Sequence, residues 1–327
     1  MAIKTFIQAI VDGTAEEMRR DERVFLFGED VGVHGGVWGE TRGLFDEFGG
    51  ERVIDTPITE NLIVGLGVGS AMMGMRPIAM IQFADFLSLA MDQIAQHMAK
   101  MRYRSGGTWT CPVVIRTNSG GGVQAGLYHS QENTAWFCHT PGMKVVYPSS
   151  AYDAKGLLKA TLRQDDPVIL YEHKALYRSV KEEIPEEDYI VPIGPAAIRR
   201  EGKDVTVVAW GSMVREALKA GETMEKEGVS VEVIDFRTLV PIDKETLVNS
   251  VKKTGRAVIS HEENRTGGFG GELAALLAEE AFDYLVSPIL RVCAPDAPPM
   301  PFSVPMEKFY MPNAEKIVKA IQKTMEY

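Results

Sequence analysis

Cysteine is scarce in this sequence of 327 residues, and its three cysteines, Cys111, Cys138 and Cys293, form no CxxC pair. Their separation argues against a disulfide framework and a zinc site, and it favours a reducing compartment. Long apolar runs are also missing, since residues 62–75 fall short of the roughly 20 that a membrane helix needs. The start mixes acidic and basic residues, unlike a signal or transit peptide. A soluble cytoplasmic protein is therefore expected.

Acidic residues outnumber basic ones in this sequence. It has 45 aspartates and glutamates and 35 lysines and arginines, so the formal net charge is −10. A protein that binds phosphate backbones needs the opposite sign, so nucleic acid is a poor candidate partner. An acidic surface would suit a basic protein partner, although it more often only maintains solubility. The length predicts two domains of about 150 residues each.

Several catalytic and nucleotide-binding motifs are absent. The sequence has no GxxxxGK[ST], no HExxH and no GxSxG, which disfavours a nucleotide triphosphatase, a zinc hydrolase and the simplest serine hydrolase. Residues 65–70, GLGVGS, resemble a dinucleotide fingerprint, but they follow a polar turn and fall inside an apolar helical run. Nucleotide binding needs such glycines between a strand and a helix. Gly65 and Gly69 are therefore interpreted as a face for tight helix packing, and a nucleotide-binding, non-catalytic protein remains a remote alternative.

Apolar runs that read as strands alternate with helical periodicity through most of the chain. The sequence predicts strands at 24–27, 53–55, 77–83, 112–116, 144–147 and 167–171, and helices at 61–74, 85–104 and 151–163. A second run predicts strands at 205–210, 231–236, 257–260 and 289–292, and helices at 214–227, 244–253, 271–281 and 313–325. Between them, residues 179–200 lack periodicity and are interpreted as a linker. The class predicted is α/β with parallel sheets covered on both faces.

Three residues stand out as candidates for a functional site. Glu60 lies in a polar turn between a predicted strand and an apolar helix, where a carboxylate suits acid/base chemistry. On these residues alone, helix capping is the favoured interpretation of Glu60, and acid/base chemistry is the alternative. His129 follows the glycine loop at 120–122 and is either a proton carrier or an ordinary polar residue. Phe86 is expected in the core, with a cofactor face as the alternative.

The segments taken together resemble a known family. They are DTPITE, IQFADF, MDQI, KMRYRSGG, LYHSQ, HTPGMKVVYPSSAYDAKGLLKA, DPVILYEHKALYR, VEVIDFRTLVPID and TMEY. The sequence is similar, over residues 5–327, to the beta subunits of the thiamine-diphosphate-dependent decarboxylase component of 2-oxo acid dehydrogenase complexes. Members of that family act on pyruvate, branched-chain 2-oxo acids or acetoin. No single motif is decisive, but so many in the same order make a chance likeness untenable.

The resemblance implies two α/β domains and a shared active site. Residues 1–185 would form the pyrimidine-binding thiamine-fold domain, 186–200 the linker, and 201–327 a transketolase C-terminal-like domain. The family assembles as an alpha2beta2 heterotetramer with thiamine diphosphate between the two kinds of chain, and the alpha subunit holds the diphosphate and magnesium. This sequence lacks the GDG signature of that magnesium site, and Asp12-Gly13-Thr14 comes closest. The resemblance therefore predicts half an active site.

Roles for the candidate residues also follow from the resemblance. Glu60 takes the position of the family's catalytic glutamate, whose carboxylate hydrogen-bonds N1′ of the aminopyrimidine and favours its imino tautomer. Phe86 matches the aromatic residue that packs on that ring. His129 matches a histidine at the mouth of the site, which would orient the substrate carboxylate or assist acyl transfer to the lipoyl group.

Further expectations concern a metal, a partner and the substrate. Some family members bind potassium through backbone carbonyls, and the matching positions are Cys111, Val113, Val114, Thr161, Gln164 and Asp166. The last two depart from the usual Asp and Asn. The second domain in the family docks the basic subunit-binding domain of the lipoyl acyltransferase, a partner that suits an acidic chain. RYRSGG and LYHSQ favour a branched-chain 2-oxo acid, whereas LAMDQI and residues 117–122 favour acetoin or pyruvate.

Overall fold

The computed structural model describes residues 1–327 and divides into two compact units. The first unit comprises Met1–Ser119 and Trp136–Ile193, and the second comprises Gly120–Ala135 and Gly194–Tyr327. The division at residue 193 falls inside the segment interpreted as the linker. The loop 120–135, however, groups with the second unit, because its backbone amides bond to carboxylates there. None of the helices has the length and apolar character needed to cross a bilayer.

The first unit is built on a parallel sheet. Its elements are β1 (Ala2–Thr5), α1 (Phe6–Arg20), β2 (Val24–Gly28), α2 (Leu44–Phe48), β3 (Val53–Asp55), α3 (Glu60–Met72), β4 (Arg76–Ile81), α4 (Met101–Arg104), β5 (Val114–Ser119), α5 (Thr134–Cys138, which begins in the second unit), β6 (Lys144–Val146), α6 (Ala151–Leu162), β7 (Val168–His173), α7 (Leu176–Ser179) and β8 (Lys181–Ile184). Six strands lie in the order β6-β7-β5-β4-β2-β3, and every pair among them is parallel.

Burial explains why these strands carry no apolar–polar alternation. All five residues of β2 and all six of β5 and β7 are buried, as expected for a sheet with helices on both faces. Helix α1 covers part of the sheet and packs against α6. It begins with a capping box, in which Gln8 N donates to Thr5 Oγ1 at 3.3 Å and Thr5 N donates to Gln8 Oε1 at 2.9 Å.

A buried ionic network crosses two adjacent strands of this sheet. Arg116 on β5 bonds both carboxylate oxygens of Glu172 on β7, with Nε–Oε1 2.5 Å and Nη2–Oε2 3.1 Å, and both side chains have 0% exposure. The hydroxyl of Tyr177 donates to Glu172 at 2.8 Å. Arg116 Nη2 also donates to the carbonyl of Glu40, 3.1 Å away, so the network fixes the loop that follows β2.

One predicted helix, 85–104, is broken into three pieces. The chain forms a 3-10 helix at Ala84–Ala90, a π-helix at Gln93–Met98 and the short α4. Each piece has at most seven residues, fewer than the roughly 11–18 over which a helical period is read from a sequence. The hydroxyl of Ser88 also donates to the Asp85 carbonyl at 3.0 Å, a local bond that competes with regular helical bonding.

The second unit holds another mostly parallel sheet. Its elements are β9 (Ala197–Arg200), β10 (Val205–Ala209), α8 (Met213–Glu225), β11 (Val231–Asp235), β12 (Thr238–Val240), α9 (Lys244–Thr254), β13 (Ala257–Asn264), α10 (Gly270–Glu280), a 3-10 turn (Phe282–Tyr284), β14 (Leu290–Ala294), α11 (Val304–Tyr310) and α12 (Ala314–Met325). The sheet order is β14-β13-β10-β11-β9. Only β9 runs antiparallel, against β11. Strands β8 and β9 fall within residues 179–200, where the sequence predicted none, because short half-exposed strands leave little periodic signal.

His261 lies fully buried within β13. Its imidazole stacks on Trp210 with ring centroids 5.0 Å apart, and its Nε2 lies 3.2 Å from Cys293 Sγ. Its Nδ1 has no hydrogen-bond partner. Burial, reinforced by the positive charge of Arg291, lowers the pKa of His261 to about 3. The imidazole is therefore neutral in the folded chain.

We expect this histidine to make the chain acid-sensitive. Between pH about 6.5 and 3, unfolded His261 binds a proton that the folded state refuses, so stability is lost as the pH falls through that window. His261→Phe keeps a ring on Trp210 and removes the titration. The free energy of unfolding of the variant should depend less steeply on pH, by up to about 1.4 kcal/mol per pH unit. Denaturant titrations at several pH values measure this slope, and parallel profiles for the two proteins would contradict the assignment.

Candidate active site

The strand order of the first unit's sheet reverses between β2 and β4. The carboxyl ends of these strands border a crevice at that edge of the sheet. From β2 the chain continues to β3 on one side, whereas from β4 it continues to β5 on the other. The carboxyl ends of β2 and β4 therefore part at this point, where open α/β sheets bind their ligands. Polar residues follow these strands in the sequence. Glu29 comes directly after β2 and Gln82 directly after β4, whereas Glu60 follows β3 after the turn at 56–59.

Glu60 is the first residue of α3 and is 6% exposed. Its carboxylate forms no hydrogen bond or ion pair within the chain. No amide of α3 donates to it, so Glu60 is not acting as a capping side chain. A buried carboxylate without a donor is costly, and this carboxylate is consequently suited to accept a hydrogen bond from a bound group.

Two further polar residues share this crevice, and the sequence analysis missed both. Burial, with the nearby carboxylates of Asp30 and Glu60, raises the pKa of Glu29, which places Glu29 and Glu60 within electrostatic reach of each other. Gln82 is 4% exposed and donates from Nε2 to the carbonyl of Glu29 at 3.2 Å, while its Oε1 has no donor. Their position directly after buried parallel strands is a signal from which both residues could have been found.

Phe86 lies beyond the end of β4, in the 3-10 helix that leaves the same edge of the sheet. Its backbone amide donates to the Phe83 carbonyl at 2.9 Å. Phe83 and Leu87 are buried, whereas Phe86 is only half-buried. The neighbours therefore supply the core contacts, and the ring of Phe86 is left partly accessible. Glu60 and Phe86 thus both belong to the carboxyl edge of the first unit.

His129 belongs to the second unit and is half-buried there. Three glutamates build the loop that carries it. Glu262 accepts from Gly121 N at 3.0 Å, Glu307 accepts from Gly122 N at 2.9 Å, and Glu263 accepts from Ala135 N at 2.7 Å. Burial raises the pKa of Glu263. These carboxylates fix the backbone on both sides of His129, and they were not identified from the sequence.

The glycine run at 65–70 lies inside α3, as predicted, and not in a turn between strand and helix. A Cβ at Gly67 would lie 3.2 Å from Val113 Cγ1, so this glycine allows α3 to approach the sheet closely. A Cβ at Gly69 would meet nothing within 4 Å. Close packing within the chain therefore falls to Gly67 and not, as predicted, to Gly69, whose side of the helix is open.

Comparison with known proteins defines the class to which this fold and crevice belong. Residues 4–180 match the family model for the transketolase pyrimidine binding domain, and residues 194–317 match that for the transketolase C-terminal domain. A solved chain described as "split gene transketolase, inactive beta4 tetramer" superposes with a TM-score of 0.80 at 27% identity, covering 98% of each chain. The chain is therefore a transketolase-type α/β protein, and its pyrimidine-binding domain implies thiamine diphosphate.

Full-length relatives narrow the family further. Identity is 48% to "2-oxoisovalerate dehydrogenase subunit beta" of Bacillus subtilis, over 100% of both chains. It is 49% to "Pyruvate dehydrogenase E1 component subunit beta" of Staphylococcus epidermidis, and 45% to the protein of that description in Bacillus subtilis, again over 100% of both chains. The chain belongs to the beta subunits of 2-oxo acid dehydrogenases, which confirms the family and the fold predicted from the sequence.

The crevice residues fit the pyrimidine half of thiamine diphosphate. An aminopyrimidine offers N–H groups on an otherwise flat apolar ring. The crevice offers two acceptors without donors, the Glu60 carboxylate and Gln82 Oε1, and a partly accessible aromatic ring at Phe86. Donors and acceptors therefore match in kind.

Four of the six predicted potassium positions have carbonyls that already accept hydrogen bonds within the chain. The carbonyls of Cys111 and Val113 accept hydrogen bonds from Val113 N at 2.8 Å and Val168 N at 3.0 Å. The carbonyls of Thr161 and Asp166 both accept from the side-chain amide of Gln164. The expectation of potassium rested on backbone positions alone, and it could not anticipate where this glutamine side chain lies.

Proposed function

We propose that this chain supplies the pyrimidine half of an active site that oxidatively decarboxylates a 2-oxo acid and passes the acyl group to a lipoyl carrier. The observation that carries the proposal is the buried carboxylate of Glu60, which lacks a donor within the chain and lies at the ligand-binding edge of the sheet. Thiamine diphosphate, when bound, would supply the nucleophile and the electron sink that decarboxylation of a 2-oxo acid requires.

The chain's own residues would bind and tune that cofactor. Glu60 would accept a hydrogen bond from the ring nitrogen N1′ and stabilise its protonated form, because a buried carboxylate favours a neighbouring positive charge. Gln82 Oε1 is free to accept from the exocyclic amino group. Phe86 packs its accessible face against the ring. These groups orient and polarise the cofactor while the cofactor performs the bond cleavage.

We infer that His129 acts on the substrate side of the reaction. A half-buried imidazole on a loop fixed by Glu262, Glu263 and Glu307 is suited to hydrogen-bond the substrate carboxylate or to carry a proton during acyl transfer. The same fixed backbone would give this side chain a defined position in the assembled enzyme.

The other half of the site would come from an alpha subunit, in an alpha2beta2 assembly. The chain lacks the GDG signature of the diphosphate and magnesium site, so the alpha subunit would hold both. An open apolar stripe supports a close partner. Leu62 and Leu66 are exposed on the side of α3 that carries Gly69, and Met73 is exposed directly after the helix. Contiguous exposed apolar side chains mark protein interfaces, and Gly69 would let a second helix approach.

The acyl acceptor would be the lipoyl acyltransferase, docked through its basic subunit-binding domain. The net charge of −10 over the whole chain and the exposed carboxylate of Glu326 after α12 support a basic partner. Charge complementarity of this kind chiefly raises the association rate. Docking should therefore weaken as the ionic strength rises.

For the substrate we propose a branched-chain 2-oxo acid, with pyruvate or acetoin as the alternatives. The RYRSGG and LYHSQ segments support the branched-chain assignment. The nearly equal identities to 2-oxoisovalerate and pyruvate relatives leave the choice to measurement. Rates for a panel of 2-oxo acids, measured on the reconstituted enzyme, should be highest for 2-oxoisovalerate.

Reconstitution tests the proposed function directly. The chain alone should not decarboxylate any 2-oxo acid, and adding its alpha subunit, thiamine diphosphate and magnesium should restore release of carbon dioxide. The alpha subunit alone serves as the matched control. Decarboxylation by the isolated chain would refute a shared site, and an inactive but assembled alpha–beta complex would refute the proposed reaction.

A further inference from the structure

The side-chain amide of Gln164 is fully engaged by its own neighbourhood in the first unit. It lies in the turn between α6 and β7, where Nε2 donates to the carbonyl of Thr161 at 3.3 Å and also to the carbonyl of Asp166. Oε1 accepts from Lys144 Nζ at 2.8 Å and from Asp166 N at 2.9 Å. Both polar atoms of the amide are therefore satisfied, and together they close the turn on itself.

The same turn is surrounded by positive side chains. Lys144 Nζ lies 2.9 Å from Asp166 Oδ2, and Arg102 pairs with the other oxygen of that carboxylate. Arg76 Nη1 donates to the carbonyl of Gln164 at 2.9 Å. The carboxylate of Asp166 is thus already paired within the chain, so with the amide in place the turn offers an added cation no unpaired negative charge.

We propose that the amide of Gln164 takes the place of the monovalent cation that the fold family implies at this turn. A backbone carbonyl that would ligate a cation accepts equally well from an N–H group. The Nε2 group lies where one positive charge would bridge the carbonyls of Thr161 and Asp166. The turn is therefore held without an ion. The inference stands apart from the catalytic proposal, because none of these residues contributes to the Glu60 crevice.

Salt dependence of stability tests the proposal on the full chain and on its complex with the alpha subunit. The melting temperature of the unaltered chain should be the same in potassium, sodium and choline chloride at equal ionic strength. Gln164→Ala removes the donor from two carbonyls and should lower the melting temperature by about 2–8 °C in sodium chloride. Potassium chloride should restore part of that loss, because the truncated side chain leaves room and carbonyl ligands for the ion.

Gln322→Ala is the matched control, since Gln322 is an exposed glutamine whose amide donates to Glu227. It should melt like the unaltered chain in all three salts. Specific stabilisation of the unaltered chain by potassium would overturn the proposal. A Gln164→Ala variant as stable as the control would overturn it too. An equal loss in potassium and sodium would show that the amide holds the turn without replacing a cation, which also contradicts the proposal.

Discussion

Glu60→Gln should lower the turnover of the reconstituted alpha–beta enzyme about 10²–10⁴-fold, the range typical of a lost acid/base group. Glutamine keeps the length of the side chain and can still accept a hydrogen bond, but it cannot stabilise a protonated ring nitrogen. Because the native carboxylate is buried without a donor in the isolated chain, neutralising it should not reduce the free energy of unfolding. Steady-state carbon dioxide release, with denaturation of the same preparations, separates the two effects.

The matched control for this variant is Glu51→Gln, which neutralises an exposed glutamate of the same unit. The control should retain full turnover. Binding of thiamine diphosphate, followed by calorimetry on the assembled enzyme, should change far less than turnover in Glu60→Gln, because the alpha subunit is expected to hold the diphosphate. A Glu60→Gln enzyme that turns over at the native rate would remove this carboxylate from the mechanism.

Arg116→Met should destabilise the first unit by about 3–5 kcal/mol, the usual cost of leaving one partner of a buried ion pair behind. Glu172, with 0% exposure, would be left with only the Tyr177 hydroxyl as a donor. The Glu40 carbonyl would also lose its bond to the guanidinium. Denaturant titration followed by circular dichroism should show an earlier unfolding transition.

Two controls separate the buried charge from the loss of side-chain volume. Arg19→Met breaks the exposed pair with Glu47 and should cost no more than about 1 kcal/mol. Combining Arg116→Met with Glu172→Leu removes both charges and should recover most of the lost stability, since apolar replacement of a whole buried pair is often neutral. An additive loss in the double variant would show that packing, and not an unpaired charge, dominates.

Buried strands and long amphipathic helices were predictable from the sequence. Strand β3 has the predicted bounds, and β2, β10 and β11 differ from theirs by about a residue. Every residue of β2, β10 and β11 is buried, and such strands leave short, mostly apolar runs in the sequence. The elements that were missed, such as β8, β9 and α11, are short and half-exposed. Their residues are fixed by partners distant in sequence, which leave no periodic signal.

The candidate site likewise contains one residue that the sequence revealed and others that it did not. Glu60 was recognisable because a single carboxylate stood at the start of an apolar helix, and the family resemblance then raised it above a capping role. Gln82 and Glu29 passed unnoticed, since their meeting depends on the reversal of strand order between β2 and β4. That reversal is a property of topology, which a linear pattern does not record. Gln164 was identified only as a position that matches a backbone ligand of potassium in the family. That match did not reveal the hydrogen bonds of its side chain.

The loop at 120–135 can reach its final structure only after residues that are synthesised much later. It leaves the ribosome before residues 136–193, yet its amides bond to Glu262, Glu263 and Glu307. Until those glutamates are translated, the loop lacks these three carboxylate anchors for its backbone amides, while the six parallel strands of the first unit have already been synthesised. His129 should therefore reach its final conformation late, after nearly the whole polypeptide has emerged. Nascent chains stalled before residue 262 should show protease cleavage within the loop even when β4, β5 and β7 are protected.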